Sequence, residues 1–124
     1  MAIHEIQSML KDYFDVLQTQ DLNKFDQVFH SGSVLYSAQN AELIVRPFAE
    51  YRAMVQGRKS PQEGGFPRLD EVLMIDLMSP EMAIVKVRLR LFDSIMVDYL
   101  NLMKVNGRWT IFAKLFHKAG VAVD

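Results

Sequence analysis

The chain has no cysteine, no long apolar run and no excess of charge of either sign. Its 124 residues include 14 Lys plus Arg against 15 Asp plus Glu. The absence of cysteine excludes disulfides, thiolate nucleophiles and thiolate metal sites. Because the charges nearly balance, there is no electrostatic reason to expect nucleic acid or an acidic membrane surface as a partner.

Targeting and membrane-spanning signals are also missing. The first residues, MAIHEIQSMLKDYF, have neither a basic start nor an unbroken apolar stretch. No run of about 18 apolar residues occurs, the length that a spanning helix needs. Together with the lack of disulfides, this predicts a cytoplasmic protein that does not engage a membrane. A chain of this length is expected to form one domain, residues 1–124, with one core and one site.

Apolar residues in the first half repeat at the spacing of helices. A first helix is predicted from the stripe Ile3, Ile6, Leu10, Tyr13 and Leu17. Asp21 is a candidate N-cap for a second helix, which His30-Ser31-Gly32 would end. Short strands are predicted in SVLYS and ELIV, followed by a third helix over about residues 47–56. The segment from Arg58 to Pro67, with two prolines and two glycines, is predicted to be a mobile loop.

Beyond this loop the apolar period changes to two. The strand-like runs are LDEVLMIDLMS, MAIVKVRLRLF, IMVDYLNLMKV and RWTIFAKLFH. Between the last two runs, Asn106-Gly107 predicts a two-residue type I′ hairpin turn. Counting back from this turn places Asn101 opposite Phe112, and Tyr99 opposite Lys114, on one face of the sheet.

The opposite face of this hairpin is almost entirely apolar. It would carry Asp98, Leu100, Leu102, Trp109, Ile111, Ala113 and Leu115. Since neither face suits water, helices should cover one and a second subunit the other. The order of elements predicts an α+β fold with a curved antiparallel sheet wrapped around helices. It also predicts a homodimer through the apolar surface Leu100, Leu102, Trp109, Ile111 and Leu115.

With this order of elements and the ending DYLNLMKVNGRWTIFAKLFH, the whole chain resembles the nuclear transport factor 2-like (NTF2-like) superfamily. Within it, the ending is most similar to the branch called putative lumazine-binding proteins. The superfamily also includes ketosteroid isomerase, scytalone dehydratase and SnoaL-type polyketide cyclases. The resemblance implies a cone-shaped fold with three N-terminal helices packed on the sheet. It also implies a dimer and a pocket between the helices and the concave face of the sheet.

The resemblance to ketosteroid isomerase runs without a gap from Glu5 to Ser37. It implies that Tyr13 and Asn101 stand where the isomerase has its two oxyanion donors. The second donor of the isomerase is a protonated aspartic acid, whereas the amide of Asn101 can donate without a raised pKa. Ser37 stands where the isomerase has its general base. A serine hydroxyl without an adjacent base cannot shuttle a proton between carbons near neutral pH. Steroid isomerase activity is therefore not expected, and no catalytic residue is assigned.

The candidate ligand-binding residues are Tyr13, Ser37, Tyr99, Asn101, Phe112 and Lys114. Structural alternatives exist for three of them. Tyr13 would be a core residue with one satisfied hydroxyl, Asn101 would bond a backbone group, and Lys114 would lay its stem on apolar surface with its ammonium at the rim.

No metal or other cofactor is predicted, because His4, His30 and His117 lack the spacing of metal ligands.

Three bases on the second strand of the meander, Lys86, Arg88 and Arg90, alternate with apolar residues. A two-residue turn at Asp93-Ser94 would place them on the face of Asn101, whereas one extra loop residue or a bulge would reverse this. The reversed arrangement is preferred here, because three unpaired cations inside a small cavity would be costly.

The function predicted from these features is the binding of a small molecule, for which the lumazine label suggests a flat, partly polar heterocycle. One alternative is a lyase, isomerase or cyclase that acts on a carbonyl substrate with Tyr13 and Asn101 as oxyanion donors. Another is a domain that mediates association. An enzyme should show an acid or a histidine within hydrogen-bond reach of the pocket donors, whereas an association domain should have a filled interior.

Overall fold

The computed structural model describes residues 1–123 and shows three helices and six strands in that part of the chain. The helices are α1 (Ala2–Thr19), α2 (Leu22–Val28) and α3 (Phe48–Gly57). The strands are β1 (Phe29–Gln39), β2 (Glu42–Pro47), β3 (Asp70–Ser79), β4 (Met82–Leu91), β5 (Ser94–Val105) and β6 (Arg108–Val121). The predicted α+β class and order of elements are confirmed. Asp124, the last residue of the predicted domain, lies outside the described residues.

No helix within residues 1–123 is long and apolar enough to cross a membrane.

The first two helices form where the apolar stripes predict them. In α1 the stripe from Ile6 to Leu17 is buried, and the helix ends at Gln20 in the left-handed conformation. The Asp21 carboxylate caps α2 by accepting from two backbone amides of its first turn. The helix ends at Val28, just before His30-Ser31-Gly32 as predicted, and those three residues belong to β1.

All six strands form one sheet in the order β2-β1-β6-β5-β4-β3. Every neighbouring pair is antiparallel except β1 and β6, which run parallel. We call the face whose residues are buried with the helices the inner face, and the opposite one the outer face. The inner face contributes the following residues to the core: Val85, Val87, Leu89, Leu100, Leu102, Trp109 and Ile111.

The β5–β6 hairpin begins with the predicted turn and then departs from the predicted register. Asn106 and Gly107 both have positive φ, at 52° and 76°, as a type I′ turn requires. Leu102 pairs with Ile111, but the next pair is Asn101 with Ala113, so Phe112 is the extra residue of a bulge. The Phe112 ring stacks on His30 of β1, with ring centroids 4.2 Å apart.

The bulge corrects the two predicted pairings on β6. Asn101 lies opposite Ala113 and not Phe112, while Tyr99 lies opposite Leu115 and not Lys114. Lys114 instead pairs with Leu100 on the inner face. One extra residue therefore moves the second half of β6 to the other face of the sheet.

The predicted dimer surface is also corrected. Its members Leu100, Leu102, Trp109 and Ile111 are at most 2% exposed and belong to the core of a single chain. Only Leu115 points outward, with 53% of its surface exposed. The prediction identified an apolar face but assigned it to a second subunit, whereas the helices cover it.

The preferred position of the three bases on β4 is wrong as well. Leu91 pairs with Ser94, so the turn has two residues, and Lys86 pairs with Tyr99 on the outer face that also carries Asn101. Because this face is not the cavity, the electrostatic objection to it disappears. Arg88 forms an ion pair with Glu71 at 2.7 Å, on the same sheet.

The loop from Arg58 to Pro67 packs against α1. The Gln18 side chain donates to the Phe66 carbonyl, and the Gln62 amide donates to the Gln18 carbonyl, each at 3.0 Å. Ser60 is buried. These contacts anchor the loop beside the open end of the inner face, while its mobility stays a prediction.

Candidate functional site

A cavity of about 140 Å³ lies between the helices and the inner face of the sheet. It opens where α1, α3 and the start of the following loop meet strands β1, β2, β4, β5 and β6. Its wall is mostly apolar, with four charged side chains among its residues. The lining residues are Leu17, Leu35, Arg46, Tyr51, Arg58, Leu89, Leu91, Met96, Asp98, Lys114 and Phe116.

Asp98 on β5 is the central polar residue of this wall. It is 1% exposed, and its Oδ2 accepts a 2.7 Å hydrogen bond from the Tyr13 hydroxyl of α1. The same oxygen lies 3.6 Å from Nζ of Lys114. The other carboxylate oxygen, Oδ1, is buried and has no hydrogen-bond partner within residues 1–123. The protein thus binds one oxygen of the carboxylate, Oδ2, and leaves Oδ1 able to accept a hydrogen bond.

Charge and burial explain why these three residues occur together. A carboxylate buried among leucines is costly unless a cation and hydrogen-bond donors offset the lost hydration. Lys114 supplies the cation, and its Nζ also lies over the rings of Tyr13 and Tyr51, 5.3 and 5.4 Å from their centroids. Burial, helped by the negative charge of Asp98, raises the pKa of Tyr13 well above its usual range. Tyr13 is therefore a neutral donor at physiological pH.

Two arginines line the cavity beside this cluster. Arg58, just after α3, donates from Nε to Oε1 of Gln20 at 2.6 Å, and its guanidinium lies 5.3 Å from the Phe92 ring centroid. Its Nη2 is buried without a hydrogen-bond partner in the described part of the chain. Arg46 of β2 lies over the Phe116 ring at 5.4 Å. The cavity thus combines one carboxylate with three cations.

The structure brings together only two of the six sequence-predicted site residues. Tyr13 and Lys114 meet at Asp98, as described. Ser37 donates its hydroxyl to the Phe116 carbonyl at 2.6 Å and does not line the cavity. Phe112 stacks on His30 at the bulge.

Tyr99 and Asn101 lie on the outer face, away from this cavity. Both are exposed, and Asn101 lines a shallow groove together with Met82 and Met103. The predicted oxyanion pair of Tyr13 and Asn101 is therefore not assembled, since the two side chains belong to opposite faces of the sheet. The tyrosine hydroxyl is committed to Asp98 instead.

Sequence reasoning missed Asp98, Arg46 and Arg58 as site residues. For Asp98 a signal exists, because it is the one charged residue in the apolar alternation Asp98, Leu100, Leu102. A carboxylate in a core position requires a partner, and this directs attention to the site. No local pattern marks the two arginines, which reach the cavity only through the fold.

The comparisons with known proteins agree with this architecture. The sequence pattern of the family described as "Putative lumazine-binding" matches residues 1–117. An NTF2-like protein of unknown function from Shewanella baltica OS155 is similar in structure with a TM-score of 0.80 and 20% identity, over 93% of this chain and 91% of that one.

Two further structures have the same fold. An NTF2-like protein of unknown function from Methylobacillus flagellatus KT has a TM-score of 0.80 and 18% identity, over 95% of this chain and 92% of that one. A protein named "Putative Scytalone Dehydratase" from Novosphingobium aromaticivorans DSM 12444 has a TM-score of 0.73 and 16% identity, over 97% of this chain and 85% of that one.

No curated protein sequence matches the chain. At these identities the structural neighbours show the fold alone, whereas the family pattern covers nearly the whole sequence. The predicted resemblance is confirmed: the chain belongs to the family described as "Putative lumazine-binding", and its fold is that of the NTF2-like structures.

Proposed function

We propose that this protein binds a small molecule in the cavity between the helices and the inner face of the sheet. The observation that carries the proposal is that Asp98 lines an open cavity while its buried Oδ1 has no hydrogen-bond partner within residues 1–123. A buried acceptor without a hydrogen bond destabilises the fold by about 1–3 kcal/mol, so a ligand that donates to this oxygen would remove that penalty. The family description supports the same function.

The volume of the cavity limits the size of the ligand. A cavity of about 140 Å³ is comparable to the engineered cavity of roughly 150 Å³ that holds one benzene molecule. Lumazine, named in the family description, is a fused two-ring heterocycle and needs more room than one ring. The cavity therefore favours a single ring or a short chain with polar ends.

An open interior also argues against the association domain, for which a filled interior is expected. The alternative of chemistry on a carbonyl substrate has one observation in its favour, because Asp98 is an acid in direct contact with Tyr13. In that case Oδ1 would act as the base while Tyr13 holds Oδ2. Incorporation of deuterium next to the carbonyl of a bound ligand in D₂O, absent in Asp98→Asn, would be its signature.

We also propose that a second copy of the chain covers the outer face. An in-register row of residues crosses the sheet there through Val45, Tyr36, Leu115, Tyr99, Lys86 and Met74. Apart from Lys86, each member of this outer row is 36–53% exposed. An exposed, mainly apolar row of this kind, with Lys86 as its charged member, is typical of a protein interface. A monomeric mass by light scattering at micromolar concentration would contradict this proposal.

The binding proposal can be tested with a matched pair of cavity variants. Met96→Trp places a large ring at the cavity wall, whereas Met103→Trp makes the same change on the outer face. Native mass spectrometry of the purified protein should show a bound small molecule that is lost in Met96→Trp and kept in Met103→Trp. Wild-type protein with no bound mass, and no thermal stabilisation by single-ring ligands, would contradict the proposal.

A further inference from the structure

We propose that the ligand is a small monocarboxylic acid with a hydroxyl or amino group at its other end. Its carboxylate would bind Arg58 and Arg46, and its donor group would bind Oδ1 of Asp98. This inference rests on the proposed function and deepens it by naming the chemical class of the ligand.

The balance of charge in the cavity wall is the first argument. Lys114 and Asp98 lie 3.6 Å apart and offset one another. Arg46 and Arg58 also line the cavity, and within residues 1–123 no carboxylate forms an ion pair with either. In an apolar, partly enclosed space such charges act strongly, so the cavity favours a ligand that brings negative charge.

Arg58 is held ready for a planar anion. Gln20 accepts from its Nε, and Nε2 of Gln20 is itself fixed by donating to the carbonyls of Val55 and Arg58, at 3.0 and 2.8 Å. The Phe92 ring packs on the guanidinium, and Nη2 is buried and has no hydrogen-bond partner among residues 1–123. A carboxylate is a small planar anion that can accept hydrogen bonds from this fixed guanidinium.

Asp98 sets the requirement at the other end of the ligand. Its Oδ2 is occupied by Tyr13, and its Oδ1 can only accept, so the ligand must present a hydroxyl or amino hydrogen there. A second carboxylate at this point would face Asp98 directly and be repelled. The cavity therefore discriminates against dicarboxylic acids, although it attracts a first carboxylate.

Single-ring compounds provide matched probes of this inference. The set consists of 3- and 4-hydroxybenzoate, their neutral amides, benzoate without the hydroxyl, and terephthalate with a second carboxylate. Isothermal titration calorimetry should show that the better hydroxybenzoate binds about tenfold or more tightly than its amide, because only the acid meets the arginines with charge. Benzoate and terephthalate should both bind more weakly than that hydroxybenzoate.

Variants locate the effect at the arginines. Arg58→Gln should weaken hydroxybenzoate binding about tenfold or more and leave amide binding nearly unchanged. Arg108→Gln removes the same charge at an exposed hairpin position and should change neither. If melting shows that Arg58→Gln does not fold, Arg46→Gln is the second variant, and the comparison of acid with amide in the wild-type protein stands independently.

The outcomes separate this inference from the proposed function. Equal affinity for acids and amides would overturn the acid inference while leaving small-molecule binding intact. Failure of every acid to bind at millimolar concentration would also overturn it. If neither acid nor amide binds and no bound mass is found in the purified protein, both proposals fail.

Discussion

The hydroxyl of Tyr13 on α1 donates a 2.7 Å hydrogen bond to Asp98 on β5, 85 residues later in the chain. Both side chains are buried, at 0% and 1% exposure. This bond joins the first helix to the inner face of the sheet at the wall of the cavity. It also fixes one oxygen of the carboxylate, so that the other remains for a ligand.

Replacing Tyr13 by Phe should destabilise the fold. The change strips a buried carboxylate of its donor, at an expected cost of about 1–3 kcal/mol and a fall of several degrees in Tm. Calorimetry can measure this directly. Ser31→Ala, which removes a hydroxyl from an exposed position of β1 outside the outer row, is the control and should have almost no effect. Equal effects of the two changes would contradict the role assigned to the bond.

The raised pKa of Tyr13 makes stability depend on alkaline pH. Burial is its main cause, and the charge of Asp98 adds to it. The unfolded chain releases this proton near pH 10, whereas the folded protein retains it to higher pH. The free energy of unfolding should therefore be unaffected below about pH 10 and fall above it. Urea unfolding measured between about pH 9 and 11 should show that the free energy of unfolding falls less with pH in Tyr13→Phe than in the wild type. Parallel pH profiles would contradict this assignment.

Replacing Lys114 by Met should lower the free energy of unfolding more than the same replacement of a surface lysine does. Removal of one partner of a buried ion pair leaves the other charge uncompensated, at about 3–5 kcal/mol. Lys118→Met, an exposed change on the same strand, is the matched control. Combining Lys114→Met with Asp98→Asn should recover part of the loss, because no buried charge then remains alone. Urea unfolding of the four proteins measures the coupling, and additive effects would show that there is none.

Replacing Leu115 by Glu tests the dimer proposed for the outer face. A charge in the middle of the outer row should prevent two copies from packing there, while the core of each chain is untouched. Multi-angle light scattering is expected to give a dimer for the wild type and a monomer for the variant. Met54→Glu introduces the same charge on an exposed position of α3 and should leave the mass unchanged. A variant that stays dimeric would exclude this face as the interface.

Replacing Asn101 by Leu distinguishes the position in the structure from the one predicted from sequence. On the outer face this amide is exposed, so the change in stability should stay within about 0.5 kcal/mol. Hydroxybenzoate binding should not change, because the side chain is on the opposite face from the cavity. Calorimetry and titration of the same sample give both values. A clear loss of affinity would place Asn101 in the site after all.

The order of elements could be predicted because each signal for it is local. Apolar periods distinguish the helices from the strands. A type I′ turn requires positive φ at both central positions, which Asn106-Gly107 adopts and few other residue pairs tolerate. The parallel pairing of β1 with β6 has no such signal, since the two strands are far apart in the chain.

The site could be predicted only in part, because its composition depends on the bulge at Phe112. Nothing in the sequence around Phe112 distinguishes it from an ordinary strand residue. The ring is accommodated by His30 of β1, a residue from another part of the chain. Tyr13 was identified through the resemblance to the isomerase, and Lys114 through its predicted place on the face of Asn101, which the bulge changes. Their meeting at Asp98 follows from three-dimensional packing.

The bulge also means that the charge of the cavity depends on the position of one extra residue in β6 and not only on which residue types the strand contains. In an uninterrupted β6, Ala113 and Leu115 would face the helices and Lys114 would face outward, as the regular register requires. The wall would then keep Asp98, Arg46 and Arg58 but lose the ammonium group that lies beside the carboxylate. Two relatives with nearly the same residues but a different position of this extra residue would thus differ by one positive charge in the cavity, and the relative without the lysine would hold an anionic ligand less tightly.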